Sequence, residues 1–188
     1  MARVDNNIMT RFSSGAIGKQ LVLRNRGNDS FLSNRPKRKK RRKKTPKQIE
    51  VRLKFREAAK YATGVSNDPL LRLDYEAKVL PGQTAYNVAF ADAFMPPELS
   101  ALKTSGYKGV PGNILTVRAL DNFKVESVSF EIIGADDTEI ETGLATPDEN
   151  SLDWNYTVKT QNDSLPGTLI RVIATDRPKN QTILEQTL

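Results

Sequence analysis

The sequence contains no cysteine and no histidine among its 188 residues. Without cysteine the chain can form no disulfide, no thiolate nucleophile and no zinc site with sulfur ligands. Without histidine it lacks the imidazole of Ser-His-Asp and Cys-His catalysis. The remaining routes to catalysis are carboxylate pairs, Lys or Tyr bases and oxygen-ligated metals, and none of these leaves a motif. The sequence therefore predicts a protein that is not an enzyme, with no cofactor, no metal and no small-molecule substrate.

Long apolar runs are also absent. No segment approaches the roughly 20 apolar residues of a membrane-spanning helix. Residues 1–12 alternate polar and apolar types and do not contain the apolar run of a secretory signal. We therefore expect a soluble protein with no membrane partner, located in the cytoplasm or inside a virus-like particle.

Positive charge is concentrated in one short segment. Residues 1–108 hold 23 Lys and Arg against 9 Asp and Glu, whereas residues 109–188 hold 6 against 13. A packed core cannot accept many unpaired charges, because each one removed from water costs several kcal/mol or more. The positively charged segment must therefore lie in water or against an acidic partner. We call this segment the cationic run, and it consists of eight consecutive residues: Lys37, Arg38, Lys39, Lys40, Arg41, Arg42, Lys43 and Lys44.

A phosphate backbone is the first candidate partner for this run. Lys and Arg neutralise phosphates and release condensed counterions without reading the base sequence. The leading prediction is thus sequence-independent binding of DNA or RNA. The predicted contacts are the cationic run together with Arg35, and secondary contacts come from Lys47, Arg52, Lys54 and Arg56.

An acidic protein surface is the second candidate partner. Four carboxylates lie close together in the sequence and form a predicted acidic patch: Asp136, Asp137, Glu139 and Glu141. Contact between this patch and the cationic run of a neighbouring copy would build a homo-oligomer or a larger assembly. The alternative is a solvated acidic loop that keeps the domain soluble.

Turn and hydrophobic patterns divide the chain into four parts. Two short apolar runs around a Gly/Asn/Asp turn predict a β-hairpin arm that ends in the cationic run, residues 1–44. Residues 45–102 are predicted to form a helical module, and the Gly- and Pro-rich residues 103–113 a linker. Apolar residues at period two then predict an antiparallel β-sandwich over residues 114–188. The predicted fold class is therefore α+β, built from several parts.

Three helix-start signals support the helical module. The first helix is predicted to end at Gly64 and to bury one stripe of residues at three- and four-residue spacings: Val51, Phe55, Ala58, Ala59 and Ala62. The start signals, each with Thr or Asp at the cap, are Thr45-Pro46, Asp68-Pro69 and Thr84.

Two further motifs admit a ligand and also an ordinary structural interpretation. Gly15 to Lys19 lacks the spacing and the flanking helix of a phosphate-binding loop, so a turn before the hairpin is the preferred interpretation. Asp121-Asn122, and Asp176 with Asn180, could supply oxygen ligands to calcium, but turns at strand ends use the same residues without metal.

Four segments of the C-terminal region carry a resemblance: Val117-Arg118-Ala119-Leu120-Asp121-Asn122, Val125 to Phe130, Trp154-Asn155-Tyr156 and Ala174 to Asn180. With them the region resembles bacterial immunoglobulin-like modules over about 75 residues, although the inter-sheet cysteine pair of antibody domains is missing. This resemblance implies a sandwich that serves as a spacer, an adhesive unit or a particle subunit.

Six segments of the N-terminal region carry a second resemblance: Gly15 to Gly18, Leu21-Val22-Leu23, Ser33 to Pro36, Phe55 to Ala62, Asp68-Pro69 and Ala85 to Ala89. With them the region, roughly residues 1–100, resembles a family of short, uncharacterised bacterial proteins. The resemblance implies a bacterial or bacteriophage setting and no particular activity. The alternative to nucleic-acid binding is therefore a structural subunit of a bacterial or bacteriophage assembly, in which the basic arm and the hairpin link neighbouring subunits.

Overall fold

The structure, a computed structural model, describes residues 2–4, 8, 10, 13–26, 29–37 and 43–188. The chain divides into two compact units, Met1–Pro46 and Lys47–Leu188. Residues 103–113, the predicted linker, lie inside the second unit.

The first unit contains one antiparallel sheet of four strands in the order β1-β4-β3-β2. Strands β3 and β4 pair where the sequence predicts a hairpin. The two other strands were not predicted, and they extend the pair on both sides, which matters because an isolated two-stranded hairpin is only marginally stable. The strands are β1 (Ala2–Arg3), β2 (Gly15–Ile17), β3 (Leu21–Arg26) and β4 (Asp29–Asn34).

Three helices open the second unit, and local capping explains where two of them begin. Asp68 Oδ1 accepts hydrogen bonds from the amides of Leu70 and Leu71, and the Thr84 hydroxyl accepts one from Asn87. Within the described residues, no helix is long and apolar enough to cross a membrane. The helices are α1 (Pro46–Asn67), α2 (Pro69–Glu76) and α3 (Ala85–Phe94).

Helix α1 corrects two details of the predicted buried stripe. It continues through Gly64 to Asn67, because a single glycine costs a helix only about 1 kcal/mol. Ala58 and Ala62 are buried as predicted, but Val51 and Phe55 are 53% and 55% exposed. Every residue from Pro46 to Glu57 is exposed, so the apolar spacing correctly marks one face of the helix but does not show that this face is covered.

The rest of the second unit consists of two antiparallel sheets of four strands, ordered β5-β6-β10-β9 and β12-β11-β7-β8. In β11, side chains alternate between half-buried and buried along the whole strand, as expected for a strand with one face on a core. The strands are β5 (Glu98–Lys103), β6 (Ile114–Leu120), β7 (Val125–Ile133), β8 (Glu139–Leu144), β9 (Thr146–Pro147), β10 (Asp153–Thr157), β11 (Leu169–Asp176) and β12 (Gln181–Thr187).

The two sheets share one hydrophobic core, with Leu115 and Val117 from one sheet and Phe130 and Val172 from the other. Tyr107, which the sequence analysis placed in the linker, is buried in this core. Strand β5 begins the sandwich before residue 103, whereas the sequence predicted helical structure up to residue 102. The sandwich therefore starts about 15 residues earlier than predicted.

A second, smaller core joins the helices to the sandwich. Phe123, in the turn between β6 and β7, is buried among side chains of all three helices. Its ring stacks on Tyr75 with 4.2 Å between centroids, and Lys78 Nζ donates a hydrogen bond to its carbonyl oxygen. Arg177 at the end of β11 adds an ion pair of 2.6 Å with Asp74 of α2.

Candidate functional site

The cationic run lies only partly within the described residues. Arg38, Lys39, Lys40, Arg41 and Arg42 fall outside them. The described members of the run and the preceding arginine are all exposed: Arg35, Lys37, Lys43 and Lys44.

Helix α1 carries a basic face on the side opposite its packed face. Arg52 and Arg56 are four residues apart, and Lys60 follows after four more, so the three side chains lie on one face. All three are exposed. Ala58 and Ala62, on the other side of the helix, are fully buried. None of these three cations forms an ion pair within the part of the chain that the structure describes. We call Arg52, Arg56 and Lys60 the basic face.

The other two predicted contacts on α1 lie elsewhere. Lys47 and Lys54 precede Ala58 at helical spacing and therefore share its side of the helix. Lys54 Nζ lies 5.5 Å from the centroid of the Phe94 ring of α3, a distance at which a cation is attracted to the aromatic face. The structure thus separates the four predicted secondary contacts into two pairs.

Apolar side chains are also exposed on the same part of α1. Ile49, Val51, Leu53 and Phe55 expose 48%, 53%, 43% and 55% of their surface. The Phe55 ring packs edge-on against Phe90, with 4.8 Å between centroids. Four large apolar side chains exposed within seven residues exceed the scattered exposure that is normal for a monomer.

The predicted acidic patch is only partly a surface feature. Asp136, Asp137 and Glu139 are exposed. Asp136 Oδ1 accepts a hydrogen bond of 2.6 Å from the Thr138 hydroxyl, which lowers the pKa of this carboxyl. Glu141 does not belong to the patch, because it is only 8% exposed and its carboxylate accepts hydrogen bonds from inside the sandwich. Its role is therefore structural.

A cluster of three carboxylates lies where the helices meet the sandwich. Asp92 comes from α3, Asp121 from the turn after β6, and Asp176 from the end of β11. One oxygen from each carboxylate lies within 4.8 Å of the others. Asp92 and Asp176 are fully buried, and Asp121 is half-buried. We call these residues the carboxylate cluster.

The electrostatics of the cluster are those of crowded, buried acids. Burial raises the pKa of Asp92 to about 7; the hydrogen bond from the Tyr75 hydroxyl opposes this shift, and the charges of Asp121 and Asp176 add to it. Burial also raises the pKa of Asp176. A proton or a bound cation relieves repulsion of this kind between neighbouring carboxylates.

Sequence reasoning found two members of this cluster and missed the third. Asp121 and Asp176 were noted as possible calcium ligands in separate turns, and the structure brings them together. Asn180 faces the cluster with its amide nitrogen, as a hydrogen-bond donor to Asp176. Asp92 was not noted, although a single charged residue in an otherwise apolar helix is a signal that could have identified it.

A cavity of about 650 Å³ lies beside the same turn, on the side of the sandwich. Its lining includes Lys78, Lys124, Leu144 and Trp154. The indole nitrogen of Trp154 is buried and has no hydrogen-bond partner among the described residues. Trp154 is itself 8% exposed and belongs to the sandwich core.

Comparisons with known proteins identify no family for this chain. Neither a protein-family model nor a curated protein matches it. Among solved structures, a crystal structure of an engineered protein is similar over 47% of this chain, with 20% sequence identity and a TM-score of 0.32. The match spans 19% of the length of that engineered protein.

Proposed function

We propose that the protein binds DNA or RNA without sequence preference, as a non-enzymatic bacterial or bacteriophage protein. The observation that carries this proposal is the eight-residue cationic run, which is followed directly by the exposed first half of α1. The basic face adds three cations to those of the run. Phosphate contacts of this kind supply affinity and position a protein on nucleic acid, but they do not read bases.

The second unit carries the basic face and the sandwich in this proposal. We infer that its sandwich is immunoglobulin-like, as the sequence resemblance suggests. An immunoglobulin constant-type fold has strands A, B, E and D in one sheet and strands G, F and C in the other. Here β5, β6, β10 and β9 lie in the order A-B-E-D, and β12, β11 and β7 lie in the order G-F-C. This correspondence supports the inference. Strand β8 would then be an additional strand beside C. A sandwich of this kind serves as a spacer or a docking surface.

Salt dependence of binding tests the proposal. We expect a labelled random-sequence DNA duplex and a labelled RNA to bind at low salt, and log K to fall against log salt with a slope of roughly −5 to −7 for six to eight phosphate contacts. Replacing residues 37–44 with Gln should weaken binding at least tenfold at low salt and remove most of the slope. Fluorescence anisotropy across a salt series measures both quantities.

Two triple variants, each of which removes three positive charges, test whether the basic face contacts nucleic acid. Arg52→Gln, Arg56→Gln and Lys60→Gln remove the basic face, and we expect the salt slope to become shallower by roughly 2–3. The matched control removes three exposed lysines of the sandwich and should leave the slope unchanged. Equal effects of both triples would show that net charge alone determines binding and would contradict a contact surface on α1. The control lysines are Lys108, Lys124 and Lys159.

The exposed apolar residues of α1 favour a second function, a structural subunit of an assembly. Ile49 and Leu53 lie four residues apart beside the basic face, where a neighbouring subunit could cover them. In this case light scattering should detect a large species after nuclease treatment, and Ile49→Gln with Leu53→Gln should reduce its size. A nuclease-treated protein that remains monomeric would contradict this second function. The two functions are compatible, because the lining of a particle can both assemble and hold nucleic acid.

A further inference from the structure

We propose that Asp92, Asp121 and Asp176 bind one divalent cation, Ca²⁺ by preference, at the junction between the helices and the sandwich. The three residues come from three elements that are distant in sequence, and one oxygen from each lies within 4.8 Å of the others. This inference is independent of nucleic-acid binding, since none of the three residues belongs to the cationic run or to the basic face.

Unpartnered buried oxygens are the first argument for a bound cation. Asp92 is fully buried, and its Oδ1 has no hydrogen-bond partner among the described residues. Oδ1 of Asp121 is also buried without a partner in that part of the chain. Buried polar atoms are satisfied in nearly all native proteins, so each exception requires an explanation. The Asp92 and Asp121 carboxyls are within hydrogen-bonding reach of each other, so either a bound ion or one shared proton explains both exceptions, and the calcium titration below distinguishes the two.

The remaining oxygens are held in place, as expected for metal ligands with supporting hydrogen bonds. Asp92 Oδ2 accepts a hydrogen bond of 2.5 Å from the Tyr75 hydroxyl. Asp121 Oδ2 accepts hydrogen bonds from the backbone amides of Phe123 and Lys124, at 3.1 and 2.7 Å. In both residues one oxygen is fixed by donors, while the other accepts no hydrogen bond from a donor among the described residues.

Asn180 orients the third carboxylate. Its backbone amide donates to Asp176 Oδ1 at 2.6 Å, and its side-chain nitrogen donates to Asp176 Oδ2 at 2.7 Å. The same nitrogen lies 3.4 and 3.3 Å from the carbonyl oxygens of Asp92 and Ala93. Asn180 thereby fixes the end of β11 relative to α3, which sets the separation of two of the proposed ligands.

Neighbouring basic side chains are engaged elsewhere. Arg177 follows Asp176 directly, but its guanidinium pairs with Asp74 at 2.6 Å and lies 5.8 Å from the centroid of the Tyr75 ring. Lys78 Nζ donates to the carbonyl oxygen of Phe123. Among the described residues, these three buried or half-buried carboxylates therefore have no cationic partner of the kind that usually accompanies buried charge.

The donor set and its spacing indicate the type of ion. Carboxylate oxygens are the ligands of hard cations such as Ca²⁺ and Mg²⁺. Two oxygens on opposite sides of Ca²⁺ lie about 4.8 Å apart, whereas around Mg²⁺ they lie about 4.2 Å apart. The limit of 4.8 Å on the oxygen separations accommodates the wider spacing of Ca²⁺. Because the ligands come from α3, the β6–β7 turn and β11, the ion would fix the helices to the sandwich.

Calcium titration of the full chain tests this proposal. After removal of metal with EDTA, isothermal titration with CaCl₂ alone should show one Ca²⁺ per chain, and MgCl₂ should bind more weakly. At a Ca²⁺ concentration of 100 times Kd, the melting temperature should rise by roughly 5–10 °C. Asp92→Asn and Asp121→Asn should each abolish the heat and the rise in melting temperature. Asp137→Asn removes an exposed carboxylate and is the matched control, which should respond like the original chain.

Folding of the variants is checked without calcium. Asp92→Asn keeps the size of the side chain and removes a buried charge, so in EDTA it should melt at or above the temperature of the original chain. Absence of heat and of any melting shift at about 10 mM Ca²⁺, well above the Kd of weak protein sites, would overturn the proposal and would leave a shared proton in the cluster. Tighter binding of Mg²⁺ than of Ca²⁺ would overturn the assignment of the ion.

Discussion

Replacing Glu141 with Ala should destabilise the second unit by about 3–5 kcal/mol. The carboxylate accepts hydrogen bonds from the Tyr156 hydroxyl at 2.5 Å and from the backbone amides of Lys159 and Thr160 at 2.8 and 3.0 Å. Alanine leaves the buried Tyr156 hydroxyl and the partly buried amides of Lys159 and Thr160 without this partner, and each unsatisfied buried donor costs about 1–3 kcal/mol. Thermal unfolding measures the loss, which should lower the melting temperature by roughly 10 °C.

Glu139 provides a matched control in the same strand. It lies two residues before Glu141 in β8 but is exposed, and Glu139→Ala should change the free energy of unfolding by no more than about 0.5 kcal/mol. Glu141→Gln should lie between the two, because its amide oxygen accepts hydrogen bonds, but its NH₂ group does not. Equal stability of the Glu139→Ala and Glu141→Ala variants would show that the Glu141 carboxylate is solvated. It would then return Glu141 to the acidic patch.

The same pair of residues shows where sequence reasoning succeeds and where it fails. Glu139 and Glu141 appear equivalent in the sequence, since both lie in an acidic cluster before a turn-rich segment. What distinguishes them is a set of donors at residues 156–160, which the sheet brings next to Glu141. No local pattern encodes that contact. The acidic patch could therefore be located from the sequence, but its exact members could not.

Features encoded locally were predicted well. The caps at Asp68 and Thr84 act on amides two or three residues away, so the sequence determines them directly. Alternation in β6, β7 and β11 likewise follows from one covered face. The apolar stripe of α1 marks a face, but whether Val51 is covered depends on distant elements, and it is exposed.

The carboxylate cluster could be predicted only in fragments. Asp121 follows β6 and Asp176 ends β11, and turn chemistry identified both as oxygen donors. Their meeting with Asp92 depends on how α3 packs on the sandwich, and the relative position of two modules has no signature in the sequence. Phe123 was missed for the same reason, because an aromatic residue in a turn has no periodic partners. Only the packing of the three helices around Phe123 shows that this residue joins the helices to the sandwich.

Replacing Phe123 with Ala should cost about 3–5 kcal/mol of unfolding free energy, as for other buried Phe→Ala substitutions. The side chain is 7% exposed and is the contribution of the sandwich to the helical core. Its ring stacks on Tyr75, with 4.2 Å between centroids and 27° between ring planes. Alanine removes this contact and leaves a cavity between α1, α2 and the β6–β7 turn. Urea unfolding should show the loss as a lower midpoint.

Two spectroscopic signals report separately on the sandwich and on the helices of the second unit. Trp154 fluorescence follows the sandwich, in whose core it lies, and far-UV circular dichroism follows the helices. In the original chain both transitions should coincide, because residues 47–188 form one compact unit. In Phe123→Ala the helical transition should precede that of Trp154. Phe55→Ala makes the same change at a position that is 55% exposed, and should cost at most about 1 kcal/mol with coincident transitions. Equal costs at the two positions would show that Phe123 does not hold the helices on the sandwich.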